Sequence, residues 1–488
     1  MQLKPLILAL TLALPPAAEA TNLSDVFRDA QAHDAQYAAA RAAYQAGQEK
    51  AVQGRSGLLP NINLGGNALY NNVSGDLREA DFNSTMFEIN ATQPLYRKQN
   101  WVQYAQSKEQ VKIVGMQFKS AEQDLILRVA QAYFDVLQSQ DNIAFINAQK
   151  AAITEQLASA KRNFEVGTAT ITDTHEAQAR YDLAVAQEIA EQNSLNIRLR
   201  ALEKLIGKPA GSLDTLVDGK LLQTAAGNID DWADRASTGN LQAEIQRIAK
   251  TIADQEVERN RAGHYPTLDA VAGYTVFNNQ NFGTIQVDTR TGIVGVEFNM
   301  PIYQGGLTNS RVREAVANQE KARQDVEAAA REASLRAREA WLNVNSGVAR
   351  VRALEQALTS TKAQLDSTKL GLQVGVRTSL DVLNAEQQVL SARRDLAAAR
   401  YAYLQSGLAL KAAVGSLSPA DLAEIDKYLR PPAAATTSSS LPDTGVASLH
   451  GKSGHPASTQ TTAMRGDGQR MQLKMATRAP TPTTSQQR

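Results

Sequence analysis

Few side chains in this 488-residue sequence have the type and spacing that bond-making chemistry needs. There is no cysteine, which removes thiol nucleophiles, thiolate metal sites, disulfides and a lipidated N-terminal cysteine. His175 stands two residues after Asp173, a spacing that invites a metal reading, but only five histidines occur and no companion ligand motif accompanies it. The patterns HExxH, GxxxxGK(S/T) and GxSxG, which place a zinc site, a phosphate cradle and a serine nucleophile, are absent. No catalytic residue, metal or cofactor is therefore expected, and an enzyme is disfavoured.

The charge balance points the same way. With 51 Lys and Arg against 50 Asp and Glu, nothing advertises a nucleic-acid partner. Lys4, the apolar run Leu6–Leu14 and the small residues of Ala18-Glu19-Ala20 read as a secretory signal over residues 1–20, cleaved after Ala20. That run is too short to cross a bilayer as a helix, and no later apolar run is long enough. Residues 431–488 are rich in Ala, Thr, Ser, Pro and Gln with four large aliphatics, too few to offset chain entropy, so this tail is expected to be disordered.

The elements between these ends occur twice. Pro60, Pro94 and Pro209 are answered by Pro266, Pro301 and Pro419, at separations of 206, 207 and 210 residues. Val166-Gly167 with Thr170 and Asp173 is likewise answered by Val374-Gly375 with Thr378 and Asp381. This divides the body into a first repeat, 21–211, a linker, 212–237, and a second repeat, 238–430. Proline-free stretches of 68 residues (97–164) and 69 residues (304–372), dominated by strong helix formers, predict helices of roughly 100 Å at ~1.5 Å per residue. Each ends at a glycine-bearing break and continues into a shorter helix; in the first repeat, helices over about 24–57 and 172–205 would together match the long one. Leu383, Leu390, Ala397 and Leu404 recur every seven residues beside a second stripe of Val382, Val389, Leu396, Tyr403 and Leu410, which predicts coiled-coil packing with neighbours on two sides.

Between the helices lie four segments of period two, such as Phe87, Ile89 and Ala91 opposing Glu88, Asn90 and Thr92. About ten alternating residues is the pattern of a transmembrane β-strand. The polar connections 71–81 and 278–290 are expected to be external loops. Four strands cannot close a barrel, and open edges in lipid leave backbone groups unpaired, so two copies giving eight strands or three giving twelve are required.

Three motifs, "MPIYQGGLTNSRVREA" at 300–315, "VGTATITDTHEAQARYD" at 166–182 and "VGVRTSLDVLNAEQ" at 374–387, give the chain a resemblance to the TolC-type outer-membrane efflux proteins, from Leu23 to about Leu429. The resemblance implies a mixed α and β membrane protein. Its homotrimer would form a twelve-stranded β-barrel, four strands per chain, continued by a long α-helical tunnel in the periplasm, with an equatorial belt over 206–239 and 412–429. Pro60, Pro94, Pro266, Pro301, Gly305 and Gly306 would mark the barrel-to-helix junctions. Such a channel sits in the outer membrane and its lipid and exports proteins by type I secretion, or small molecules such as drugs, from the cell. It docks to a periplasmic adaptor and an inner-membrane ABC or proton-driven transporter. By the same resemblance the tip turns Val166, Gly167, Thr168, Val374, Gly375 and Val376 meet the adaptor. Arg377 would latch the closed tunnel to Thr172 and Asp173, with Leu372 where some members carry a gating tyrosine. Asp381 would line a constriction whose three carboxylates attract cations, with Asn384 standing where some members place a second acidic ring. A stand-alone outer-membrane porin would not need such long helices, and a periplasmic coiled-coil structural protein would not need symmetric strand pairs.

Overall fold

A computed structural model describes residues 21–75, 78–168, 170–217, 226–282 and 285–431. The expected signal, 1–20, and the expected disordered tail beyond Pro431 lie outside the described residues. Helices α1 (Leu23–His33) and α2 (Ala35–Ser56) lead to strands β1 (Asn61–Gly75) and β2 (Arg78–Tyr96), then to helices α3 (Lys98–Glu165) and α4 (Ile171–Ile206). After the two-residue β3 (Thr215–Leu216) the order recurs: α5 (Ile229–Gly239), α6 (Leu241–Arg261), β4 (Thr267–Phe282), β5 (Ile285–Asn299), α7 (Leu307–Gln373) and α8 (Ser379–Ala413). A short α9 (Pro419–Asp426) and β6 (Leu429–Arg430), which pairs with β3, follow.

The long helices have 68 and 67 residues, each roughly 100 Å at ~1.5 Å per residue. The second starts at Leu307 rather than 304 because Gly305 and Gly306 take φ of +62° and +83°, and Gly306 is the residue that caps it. The expected single helix over 24–57 is broken at Asp34, whose backbone is extended (φ −65°, ψ 118°). Asp34 accepts the backbone N–H of Tyr37 at 2.7 Å as the N-cap of α2, and both its oxygens are held by Arg128 of α3 at 3.0 and 3.2 Å. A carboxylate so engaged favours a cap over a continuous helix. Asn240 separates α5 from α6 in the same way, accepting the N–H groups of Gln242 and Ala243.

The four long strands form one antiparallel sheet in the order β1-β2-β4-β5, so the two repeats join through β2 and β4. Its register puts Leu64 opposite Ile89, Ile89 opposite Tyr274, and Ala272 opposite Val294, gathering the apolar side chains on one face. That face is uncovered: Leu64 is 81% and Val294 90% exposed. Asn63, Asn90, Glu88 and Thr275 share the opposite, polar face, where the last three are half-buried. Exposed apolar and sheltered polar is the reverse of a soluble protein and the arrangement of a barrel strand in lipid.

The connections expected as loops over 71–81 and 278–290 are instead mostly strand. The ladder continues through Asn71↔Phe82 to Gly75↔Arg78 and through Asn278↔Asp288. Polar residues do not end a strand whose backbone groups stay paired; here Asn72 donates to Asp81 at 2.6 Å and Asn71 to Ser84 at 2.9 Å. Strands of 15 to 19 residues exceed the roughly 25 Å apolar band of an outer membrane at ~3.3 Å per residue, so they extend beyond it.

The main core sits where the short-helix pairs meet the long helices. Leu23, Val26 and Phe27 of α1 pack with Leu125, Ile126, Tyr133 and Phe134 of α3, Leu202 of α4, Tyr401 of α8 and Leu422 of α9. Toward the distal ends the seams are thin and built of small groups, as in the cluster of Leu157, Ala160 and Ala177.

The bend at Asp34 gives a pH test. Hydrogen bonding from Arg128 first, then the N–H groups of the cap, hold its carboxyl below the ordinary range against the effect of burial. A depressed folded pKa gives stability that is present above about pH 4 and lost as pH falls through the folded value. Asp34→Asn, which keeps a capping oxygen but no charge, is expected to lower stability at pH 7 by about 1–2 kcal/mol and to flatten the acid limb of the thermal midpoint against pH. A wild-type acid limb no steeper than the variant's would contradict this.

Candidate functional site

The site is the pair of turns at the distal ends of the helices. At the first, α3 ends at Glu165 and α4 begins at Ile171; at the second, α7 ends at Gln373 and α8 begins at Ser379. Gly167 and Gly375 adopt φ of +79° and +77° with nothing near their missing side chains, so each is needed for its left-handed backbone and not for space. The turns close through Thr168 N–H donating to Asn163 O at 2.8 Å and Val376 N–H to Gly371 O at 2.9 Å. Val166, Val374 and Val376 are exposed, apolar side chains with no core to enter.

The next helices start with matched capping boxes. Asp173 N–H donates to Thr170 Oγ1 at 3.3 Å while the Asp173 carboxylate accepts Thr170 N–H at 3.0 Å. Asp381 N–H donates to Thr378 Oγ1 at 3.2 Å, and Asp381 Oδ2 accepts both the Thr378 N–H at 2.9 Å and its hydroxyl at 3.0 Å. These two bonds from Thr378, with the nearby charge of Arg377, hold the Asp381 carboxyl below the ordinary range in a single chain. That direction is opposite to what crowding of three carboxylates would do.

The structure gathers Leu372, Asp173, Thr378 and Leu383 around a cleft of about 350 Å³ between the two turns. It does not bring Arg377 to Thr172 or Asp173: among the described residues the Arg377 side chain forms no ion pair or hydrogen bond, and its stem lies over the bare face of Gly371. Asn384 is engaged instead by Arg180, whose Nη1 donates to Asn384 Oδ1 at 3.1 Å while Nη2 pairs with Glu176 at 2.9 Å. Sequence reasoning does not find this inter-repeat bond, although Arg180 lies one heptad beyond Asp173 and four residues after Glu176, both on the same helix face. Lys369 to Glu386 at 2.8 Å ties α7 to α8 nearby. His175 is exposed, and the described residues contain no cluster of ligands able to hold a metal.

At the other end, Pro60 and Pro266 precede β1 and β4, Pro94 sits at a register shift near the end of β2, and Pro301 follows β5. A second residue pair escapes the sequence reading here. Arg97, between β2 and α3, makes a fork-like pair with Asp269 of β4, Nη2 to Oδ2 at 2.6 Å and Nε to Oδ1 at 2.8 Å, and Asp269 is only 3% exposed.

The chain thus carries an open sheet with an exposed apolar face, continued by paired helices that end in matched glycine turns. The profile of the family described as "Outer membrane efflux protein" matches residues 26–208 and 235–416, one stretch per repeat. The chain belongs to this family. It is 35% identical to outer membrane protein TolC of Vibrio cholerae serotype O1 over 88% of this chain and 99% of that one. It is 33% identical to the alkaline protease secretion protein AprF of Pseudomonas aeruginosa, over 85% of this chain and 88% of that protein. The Campylobacter jejuni CmeC outer membrane channel shares the fold, with a TM-score of 0.70 over 86% of this chain and 95% of that one at 17% identity. The efflux protein is an outer-membrane export channel chain, and its relatives are channel proteins.

The capping box of this efflux protein can be tested directly. Thr378→Ala removes the acceptor for Asp381 N–H and the hydroxyl donor to its carboxylate, at a cost of about 1 kcal/mol to the first turn of α8. Amide hydrogen exchange over 379–382 is expected to speed up several-fold while 171–174 is unchanged; Thr170→Ala should do the reverse. Equal protection at both turns in both variants would show that the caps do not order the tips.

Proposed function

We propose that three copies join β1 of one chain to β5 of the next, closing a twelve-stranded barrel whose helices continue as one passive tunnel through the periplasm. Twelve strands satisfy every edge, whereas four leave two open. The observation that carries this reading is the single sheet whose apolar face is uncovered, joined directly to helices of about 100 Å. No energy-transducing motif is present in the sequence, so transport is driven by an inner-membrane ABC or proton-driven pump, reached through a periplasmic adaptor. The exposed Val166, Val374 and Val376, beside Gly167, Thr168 and Gly375, offer the adaptor an apolar surface.

The tips form the gate. Arg377, whose side chain is unpaired among the described residues of its own chain, latches to Thr172 and Asp173 of a neighbouring copy, and Leu372 contributes packing in place of a hydrogen bond. Asp381 from each copy lines the constriction, where three carboxylates attract cations. Asn384 removes one acidic ring and weakens the trap. The names of the relatives, one a protease secretion protein, favour proteins among the exported substrates, alongside small molecules.

Single-channel conductance of purified protein in planar bilayers tests the gate. Wild type is expected to conduct poorly, Arg377→Ala to conduct several-fold more, and Asp381→Ala to lose block by a multivalent cation added at the tunnel end. A channel indifferent to both substitutions removes the gate assignment and keeps the barrel; absence of any channel removes the barrel.

A further inference from the structure

Away from the tips, the belt holds a carboxylate with a buried oxygen that has no partner among the described residues. Asp214 is 8% exposed, and its Oδ1 is buried with no hydrogen-bond donor. The charges that act on it are Asp426 and Asp25, both of its own sign, and burial with these two pushes its carboxyl pKa up. Asp426 of α9 is itself spent on the start of α1, accepting Leu23 N–H at 2.9 Å and Ser24 N–H at 3.2 Å. Asp25 pairs with Arg28 at 2.8 Å. Tyr133, the other titratable group against this segment, donates its hydroxyl to Asp214 O at 2.8 Å and to Thr21 O at 3.3 Å. A buried anion without a donor or a cation is costly and is rarely kept without reason.

Thr21 lies beside it. Its N–H donates to Ser212 O at 2.8 Å, and its carbonyl accepts Asp214 N–H at 3.2 Å, so Thr21 is pinned in parallel against Leu213. As an amide, the Thr21 nitrogen has one hydrogen, already used. As an ammonium it would have three, one for Ser212 and two more to offer beside Asp214, whose own N–H meets the Thr21 carbonyl.

We propose that removal of the signal segment turns Thr21 into the missing counter-charge of this pocket, the new α-ammonium pairing with the Asp214 carboxylate and locking the N-terminus to the belt. The inference rests on the proposed cleavage after Ala20. In that step water adds across the Ala20–Thr21 amide, leaving a carboxylate on Ala20 and an amine on Thr21 that takes up a proton. The precursor therefore holds an uncompensated buried acid, and the exported chain holds an ion pair between Thr21 and Asp214. Processing and final packing of α1, α9 and the β3–β6 pair become one event. Flanking acids raise the pKa of the amine, so the stabilisation is complete below the unfolded value of about 8 and is lost as pH rises through the folded one.

The test uses full-length protein purified from outer membranes. N-terminal sequencing is expected to give Thr21; any other first residue overturns the inference and leaves the channel reading untouched. Acetylation of the α-amine by an N-hydroxysuccinimide ester, followed across pH by mass of the N-terminal peptide, is expected to report a pKa at least one unit above the ordinary value of about 8. In Asp214→Asn the amine should react about fivefold faster at pH 8, because a fall of its pKa from about 9 to about 8 raises the free-amine fraction from roughly a tenth to a half. An ordinary amine pKa in wild type, which needs no variant to fold, overturns the proposal, as do equal rates in a folded Asp214→Asn.

Discussion

A β-sheet edge cannot stand open in hydrocarbon, where its N–H and C=O groups find no partner and each costs several kcal/mol. The rest of this efflux protein answers to that constraint. Strands β1 and β5 each have a neighbour on one side only, and the apolar face between them is left exposed. A single chain therefore cannot finish its own membrane-crossing part, and symmetry among copies follows from backbone chemistry before any interface is considered. The internal duplication makes the solution economical: β2 meets β4 inside one chain, and the proposed meeting of β5 with β1 between chains would repeat the same geometry. The Arg97–Asp269 pair lies where this sheet gives way to helix. It fastens the helix leaving β2 to the strand β4 beside it and so transmits the barrel's register to the bundle below.

Packing strength is distributed unevenly along the helices. Near the belt, large side chains such as Phe134, Tyr133 and Tyr401 are buried, and Tyr401 donates its hydroxyl to Asp141 at 2.7 Å. At the tips the buried groups are small clusters in which a few aliphatics, such as Leu157 and Leu383, stand among alanines such as Ala160, Ala177 and Ala184. Apolar burial contributes roughly 25 cal/mol per Å², so an alanine seam holds far less than an aromatic one. What remains at the tips is polar and partly exposed, chiefly Arg180 to Asn384 and Lys369 to Glu386. Such contacts are worth at most about 1 kcal/mol each. A firm belt with loosely held ends suits the proposed gate, in which one end of the tube opens without the rest coming apart.

The legible part of this architecture is the part written in periodicity and in chain-breaking residues. Paired prolines expose the repeat, proline-free runs bound both long helices to within a few residues, and alternation locates all four strands. Strand length is harder to read because composition marks where side chains stop being apolar, not where backbone pairing stops; Asn72 and Asp81 satisfy each other across the ladder. The bend at Asp34 is hidden for a related reason. A helix continues or breaks there according to Arg128, which is distant in sequence and adjacent only after folding. The same holds for Arg97 with Asp269 and for Arg180 with Asn384, since long-range polar pairs leave no local pattern.

Asp381 links the start of α8 to the chemistry proposed for the tip. As the third residue of a capping box it begins α8, and its Oδ2 takes two hydrogen bonds from Thr378. A helix N-terminus also favours negative charge through the backbone dipoles. The Thr378 hydrogen bonds, with the nearby charge of Arg377, lower its pKa in the single chain. Three such groups brought together around an axis would repel and push the pKa back up. The cap opposes that rise, and it leaves Oδ1 unclaimed among the described residues. In the proposed constriction, capping residues can therefore remain charged where a ring of free carboxylates would begin to take up protons, and their charge depends on the order of the turn. Loosening the turn would weaken the helix start and, in the proposed gate, the cation trap with it, so that opening of the tip and loss of its selectivity would go together.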